Sequence, residues 1–149
     1  AQAAAQDPPQ PEREPNAFHY FISDAPVLRL IEETRHGDLA LARDVQPSLA
    51  AAGATLYVLP DEPWSHRVRS AFGNELANRR PDIAHARLTP SARGDYVVSV
   101  RAPLTAPRGA DGLCGMFATG GGRAAAAGIN QLPAEALPEF FRRFAQAYP

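Results

Sequence analysis

Large apolar side chains begin abruptly at Phe18. Residues 1–16 (AQAAAQDPPQPEREPN) contain none, so they have too little surface to bury against the entropy of ordering and are predicted to be a disordered tail or linker. A chain opening on such a linker is expected to have had a segment before it. Phe18, Tyr20, Phe21 and Ile22 then form an aromatic-rich anchor that needs a surface to lie on. Asp24 is placed to cap a helix with Pro26 in its first turn and Val27, Leu28, Leu30 and Ile31 along it, closing near His36-Gly37. Asp38 is placed to cap a second helix. There Leu39, Ala42, Val45, Leu49 and Ala52 recur at spacings of three and four, with a kink or break expected at Pro47 and a stop at Gly53.

Thr55 to Leu59 is a short apolar run, as in a strand buried on both faces. Pro60 to Pro63 ends it and opens a helix whose apolar stripe is Trp64, Val68, Phe72 and Leu76, stopping at Arg80-Pro81. Ile83 to Thr89 reads as a strand, Pro90 to Gly94 as a turn, and Asp95 to Ala102 as the returning strand of a hairpin. Period two places Tyr96, Val98 and Val100 on one face of that strand and Val97, Ser99 and Arg101 on the other. Asp111 starts a short helix burying Leu113, Cys114, Met116 and Phe117, and a terminal helix buries Phe140, Phe141, Phe144 and Tyr148. The pattern predicts an α/β fold. A mixed sheet of about four to five strands, near 55–59, 83–89, 95–102 and 126–130, is flanked by helices and preceded by the disordered N-terminal tail and two helices. Three segments follow: a tail over 1–16, a helical connector over 17–53, and a folded domain over 54–149.

Composition narrows the function classes. The chain has 149 residues and a net charge of -1, which argues against a broadly basic nucleic-acid coat but permits a local basic groove. Every basic residue is arginine, so arginine placement is more informative than arginine number. The single cysteine, Cys114, excludes an internal disulfide and fits a reducing compartment. No apolar run approaches the ~18 residues of a membrane span, and a cytoplasmic protein is expected. Ser65, His66 and Asp61 do not make a triad, because neighbours on a helix point apart.

The candidate chemistry sits in Thr119 to Asn130, which contains Gly120-Gly121-Gly122-Arg123 and Ala126-Ala127-Gly128. Three glycines are costly to order, and a packed domain keeps them where the backbone must turn or approach something closely. Successive glycine amides can converge into an anion nest, and Arg123 adds a planar fork of donors suited to phosphate. Two readings stay open: a phosphate-binding loop, or a tight turn between packed elements. Arg101, directed from a strand beside core valines, calls for an acidic partner, an anionic ligand or solvent.

Taken together, the strand with Ser99-Val100-Arg101, the short helix ending in Phe117, Gly120-Gly121-Gly122-Arg123 and Ala126-Ala127-Gly128 resemble the C-terminal, DHH-associated domain of the DHH-family phosphoesterases, in particular a bacterial exopolyphosphatase-like branch. That family's pattern is Ser-x-Arg, then Gly-Gly-Gly-His, two variable residues, and Ala-Ala-Gly; Arg123 stands in place of the histidine. The resemblance covers residues 18–149, with the specific motifs between 96 and 130. It implies a substrate-clamping domain without catalytic residues of its own, with Ser99, Arg101, Gly120, Gly121, Gly122, Arg123 and Gly128 holding a single-stranded oligonucleotide, a nucleotide or polyphosphate. Manganese or another divalent metal is implied only in a separate N-terminal catalytic domain, the partner of this one. The sequence has no Asp-His-His, and His19, His36, His66 and His85 lack ligand spacing. Arginine in place of histidine retains phosphate binding but not proton transfer. The chain alone is expected to be inactive. Two alternatives are carried: a docking or homodimerisation module, with Phe18 to Ile31 covering a partner, and a stand-alone enzyme binding a pyrophosphate-containing cofactor at the glycines.

Overall fold

The computed structural model describes residues 25–149. The tail, the Phe18–Ile22 anchor and the Asp24 cap lie outside the described residues. The chain divides into two compact units, residues 1–37 and 38–149. In the first, the described residues form the start of a helix, α1 (Ala25–Arg43), on which Val27, Leu30 and Ile31 are exposed.

The second unit carries a six-stranded mixed sheet. Its strands are β1 (Leu49–Ala50), β2 (Ala54–Val58), β3 (Ala84–Pro90), β4 (Tyr96–Arg101), β5 (Gly120–Gly122) and β6 (Ala126–Leu132), in the order β1-β2-β3-β4-β6-β5. β2 and β3 are parallel and every other pair is antiparallel. Parallel pairing requires a crossover, supplied by α2 (Pro63–Arg67) and α3 (Arg69–Arg79). The β3–β4 hairpin turns through Gly94, whose φ of 85° favours glycine.

The α/β class and mixed sheet agree with the sequence reading, and the differences have local causes. α1 runs unbroken through Gly37 to Arg43, because one glycine inside a helix costs only about 1 kcal/mol. Asp38 therefore caps nothing; its carboxylate accepts hydrogen bonds from Arg67 Nε at 2.7 Å and Nη2 at 2.9 Å. The expected continuation past Pro47 is instead a bend followed by β1, where Leu49 pairs with Leu56. The Trp64–Leu76 stripe is divided between α2 and α3 at Val68, whose φ and ψ of −92° and 0° leave the helical region.

Two cores result. Leu56, Ala86, Leu88, Val98, Val100 and Ile129 form the larger one with Leu113 and Cys114 of α4 (Ala110–Cys114) and Phe140 and Phe144 of α5 (Leu137–Ala147). The smaller one joins Ala42, Leu59, Val68, Phe72 and Leu76, flanked by Tyr57. The sheet's two faces thus differ. The face over α4 and α5 is apolar, and the face toward α3 holds nearly all of the sheet's polar side chains.

Candidate anion-binding face

Strand alternation and register assemble the polar face without reference to function. In β3, Ala84, Ala86 and Leu88 enter the larger core, which turns His85, Arg87 and Thr89 toward α3. Across the sheet Arg87 pairs with Ser99, Ser99 with Gly128, and Gly128 with Gly121. Two residues along, Thr55 pairs with His85, His85 with Arg101, and Arg101 with Ala126. Arg123 donates its amide to the Ala126 carbonyl at 2.9 Å and accepts the Ala126 amide in return. Two adjacent rows therefore bring Ser99, Arg101, Gly121 and Gly128 to one face, with Arg123 at the turn beside them. With strands ~4.8 Å apart, the Arg101 and Arg123 backbones are about 10 Å apart.

The glycines behave differently from a nest. Gly120 to Gly122 are an extended strand, and the turn is Arg123 to Ala126. Because Arg123 and Ala126 exchange both backbone hydrogen bonds, alternation makes Gly121–Gly128 the next bonded pair and leaves the Gly122 amide on the open sheet edge. Successive amides of a strand point in opposite directions, so Gly121 and Gly122 do not converge on one anion. A side chain at Gly120 would meet the Cys114 carbonyl oxygen at 1.8 Å, and one at Gly122 would meet Ala127 at 2.5 Å. At Gly121 it would meet nothing within 4 Å. Gly121 is therefore open main chain on the arginine face, while Gly120 and Gly122 accommodate close packing behind it.

One residue that the sequence reading did not single out lies at the centre of this face. Arg87 is 7% exposed, and its Nε and Nη1 are buried without a hydrogen-bond partner. Over the missing side chain of Gly73 in α3, Arg101 Nε and Arg87 Nη1 come within 2.9 and 3.3 Å of the same point. Two like charges held this close repel; at ~6 Å and an effective dielectric near 20 the repulsion is roughly 2–3 kcal/mol. Burial, and then the charges of Arg101 and Arg69, pull the Arg87 guanidinium down to about 10. The arginine ion pairs among the described residues engage Arg43, Arg67, Arg80, Arg142 and Arg143. Arg69, Arg87, Arg101 and Arg123 take part in none of them. Period two within Ala84-His85-Ala86-Arg87-Leu88-Thr89 was the available signal for Arg87. Its nearness to Arg101 needed the strand register.

His85 closes the row beside Arg101. Its Nε2 donates to the Arg80 carbonyl at 3.0 Å, which fixes the tautomer, so Nδ1 accepts from Thr55 Oγ1 at 2.8 Å. Burial first, and then the Arg80 and Arg101 charges, hold its pKa below the usual histidine value; the Arg80 carbonyl and Asp82 act in the opposite sense. A base with a depressed native pKa destabilises the fold once the unfolded chain begins to take up protons. Stability is therefore expected to fall as pH drops through about 6.5, by at most about 1.4 kcal/mol per pH unit from this group. Urea melts from pH 7.5 to 5 check this, and His85→Gln should flatten the profile. A cavity of about 420 Å³ lies beside His85, bounded by Thr55, Tyr57, Arg79 and Arg80.

Cys114 is buried, and that burial raises its thiol to about 11, as core filler rather than a nucleophile. Among the described residues no group of three or more His, Cys, Asp or Glu is placed to hold a metal, and no helix is long and apolar enough to cross a membrane. No protein-family model matches the chain, and no curated protein matches it.

Proposed function

We propose that residues 54–149 are the substrate-clamping domain of a DHH-type phosphoesterase, binding single-stranded oligonucleotide, nucleotide or polyphosphate. Hydrolysis would be driven by manganese or a similar divalent ion on a separate N-terminal catalytic domain. The observation that carries this reading is the shared face. Ser99 and Arg101 occupy neighbouring rows with Gly121 and Gly128, Arg123 flanks them, and neither arginine enters an ion pair among the described residues. Arg101 and Arg123 act as charged forks on successive phosphates, Ser99 donates a hydrogen bond, and bare main chain at Gly121 lets the ligand approach closely. Gly122 contributes its edge amide, whereas Gly120 and Gly128 act through packing.

A charge-assisted hydrogen bond contributes about 1.5–3 kcal/mol net. Arg101→Ala and Arg123→Ala are thus each expected to weaken binding of a single-stranded oligonucleotide or polyphosphate by about 10- to 100-fold, with little change in melting temperature. Calorimetric titration measures this directly. Unchanged affinity in both variants removes the site.

One observation favours docking as a second reading. Val27, Leu30 and Ile31, at helical spacing on α1, are 41, 64 and 54% exposed. A concentration-dependent dimer in analytical ultracentrifugation, with no phosphate affinity, would select that reading.

A further inference from the structure

We infer that Gly73 and Arg87 are positioning residues for Arg101: the notch that Gly73 leaves in α3 seats the Arg101 guanidinium, and the sealed charge of Arg87 keeps it from settling deeper onto the sheet. Neither residue touches the ligand. The inference rests on the clamping reading above and names what orders one of the clamp's arginines before an anion arrives.

Gly73 is a glycine without a backbone reason. It lies buried inside α3, where glycine weakens a helix relative to alanine. The positive-φ glycines among the described residues are Gly94, Gly109 and Gly122, so the backbone at Gly73 is open to any residue. Its role is therefore read from the space it leaves. Outside its own helix, the three atoms nearest to a methyl group there would be Arg101 Nε at 2.9 Å, Arg87 Nη1 at 3.3 Å and Arg101 Nη2 at 3.4 Å. All three are guanidinium nitrogens. The bare helix backbone thus lets the Arg101 fork come closer to α3 than a side chain would allow.

Arg87 sets the other limit. It is 7% exposed, and its Nε and Nη1 are sealed without a partner, so an incoming ligand does not reach them. Its register partners in the sheet, Tyr57 and Ser99, are neutral. After burial, the Arg101 charge is the largest cause pulling the Arg87 guanidinium down to about 10, so the two side chains act on each other. Arg101 is the half-buried member of the pair, with access to solvent. Helix backbone on one side and a like charge on the other leave its fork little freedom. A fork ordered before binding loses less entropy when it meets an anion. The sealed cation costs the empty domain stability, the expected sign for a group kept for position rather than for packing.

The test makes Gly73→Ala and Arg87→Met in the 149-residue chain, each alone and combined with Arg101→Ala. A short single-stranded oligonucleotide is titrated into every variant at one fixed salt concentration, in buffer free of phosphate and sulfate, and each variant is melted without ligand. Gly73→Ala and Arg87→Met should each weaken binding by about three- to tenfold, the loss expected when one ordered side chain becomes free. Neither should melt below the parent, since one gains helix propensity and the other loses a buried unpartnered charge. A merely structural role would lower affinity and melting midpoint together. In the Arg101→Ala background the same two substitutions should change affinity by less than about twofold, because the side chain they position is gone. Parent affinity in either single variant overturns the inference. So does a loss that persists undiminished without Arg101, or one accompanied in both variants by a lower melting midpoint. If Arg101→Ala alone still weakens binding in those cases, the clamping reading stands without it. If Arg101→Ala and Arg123→Ala change nothing, the clamp itself has failed.

Discussion

Gly120→Ala is expected to destabilise the domain by about 3 kcal/mol, at the upper end for overpacking, lowering its melting midpoint by roughly 10 °C. Gly121→Ala should leave the midpoint within a degree or two. The two glycines are adjacent in one strand, but their missing side chains face opposite sides of the sheet. At Gly120 the added carbon would sit 1.8 Å from the carbonyl oxygen of Cys114 and 2.6 Å from its carbon. That obstacle is backbone of α4, which cannot rotate aside as a side chain could. At Gly121 the space is empty, and alanine is no worse than glycine in an extended strand. Its methyl group would nevertheless stand on the arginine face beside Gly128, where the proposed ligand must approach. The pair thus separates packing from binding: one substitution should affect the melt, the other the titration. Thermal melts with parallel oligonucleotide titrations measure both, and two variants that behave alike would contradict this division.

The same alternation explains how far the chain could be read from its sequence. Where one strand carries its own pattern, as in Tyr96 to Arg101, the sequence placed Ser99 and Arg101 on the face opposite Val98 and Val100, and the fold keeps them there. The strands near 55–59, 83–89 and 126–130 were also legible, the first as a short apolar run. What failed were elements whose existence depends on a distant partner. Leu49–Ala50 is a strand only because Leu56 pairs with it; locally, Val45, Leu49 and Ala52 continue a helical period. Gly120–Gly122 has almost no strand propensity of its own and is extended because β6 pairs with it. Arg87 is the same lesson at the level of the site. Its period-two position is visible in β3, but nothing near it in sequence announces Arg101, which arrives through the hairpin register, or Gly73, which arrives through the crossover helix. Spacing along one strand reveals a face. Convergence of charges requires the pairing.

Phe72→Ala is expected to have the largest effect on stability, about 3–5 kcal/mol, the range for truncating a buried phenylalanine. Phe72 is 1% exposed, and its ring meets Tyr57 edge-on with centroids 5.4 Å apart. It belongs to the smaller core with Val68, Leu76, Leu59 and Ala42, so few neighbours are available to collapse into the space it leaves. Phe140→Ala should cost a similar amount. That ring is fully buried between Phe117 and Phe144, at centroid distances of 5.6 and 6.0 Å. The two substitutions differ in what they disturb besides stability. Phe140 lies on the apolar side of the sheet, whereas Phe72 anchors α3 one residue before Gly73, the point above which Arg87 and Arg101 meet. Well below the midpoint of each variant, Phe140→Ala should therefore keep the affinity of the parent for a single-stranded oligonucleotide. Phe72→Ala should weaken it several-fold, because a displaced α3 no longer holds the two guanidinium groups in register. Denaturant melts give the stability change, and titration at low temperature, where both variants are folded, gives the affinity. Equal affinities in the two would mean that α3 covers the arginines without positioning them.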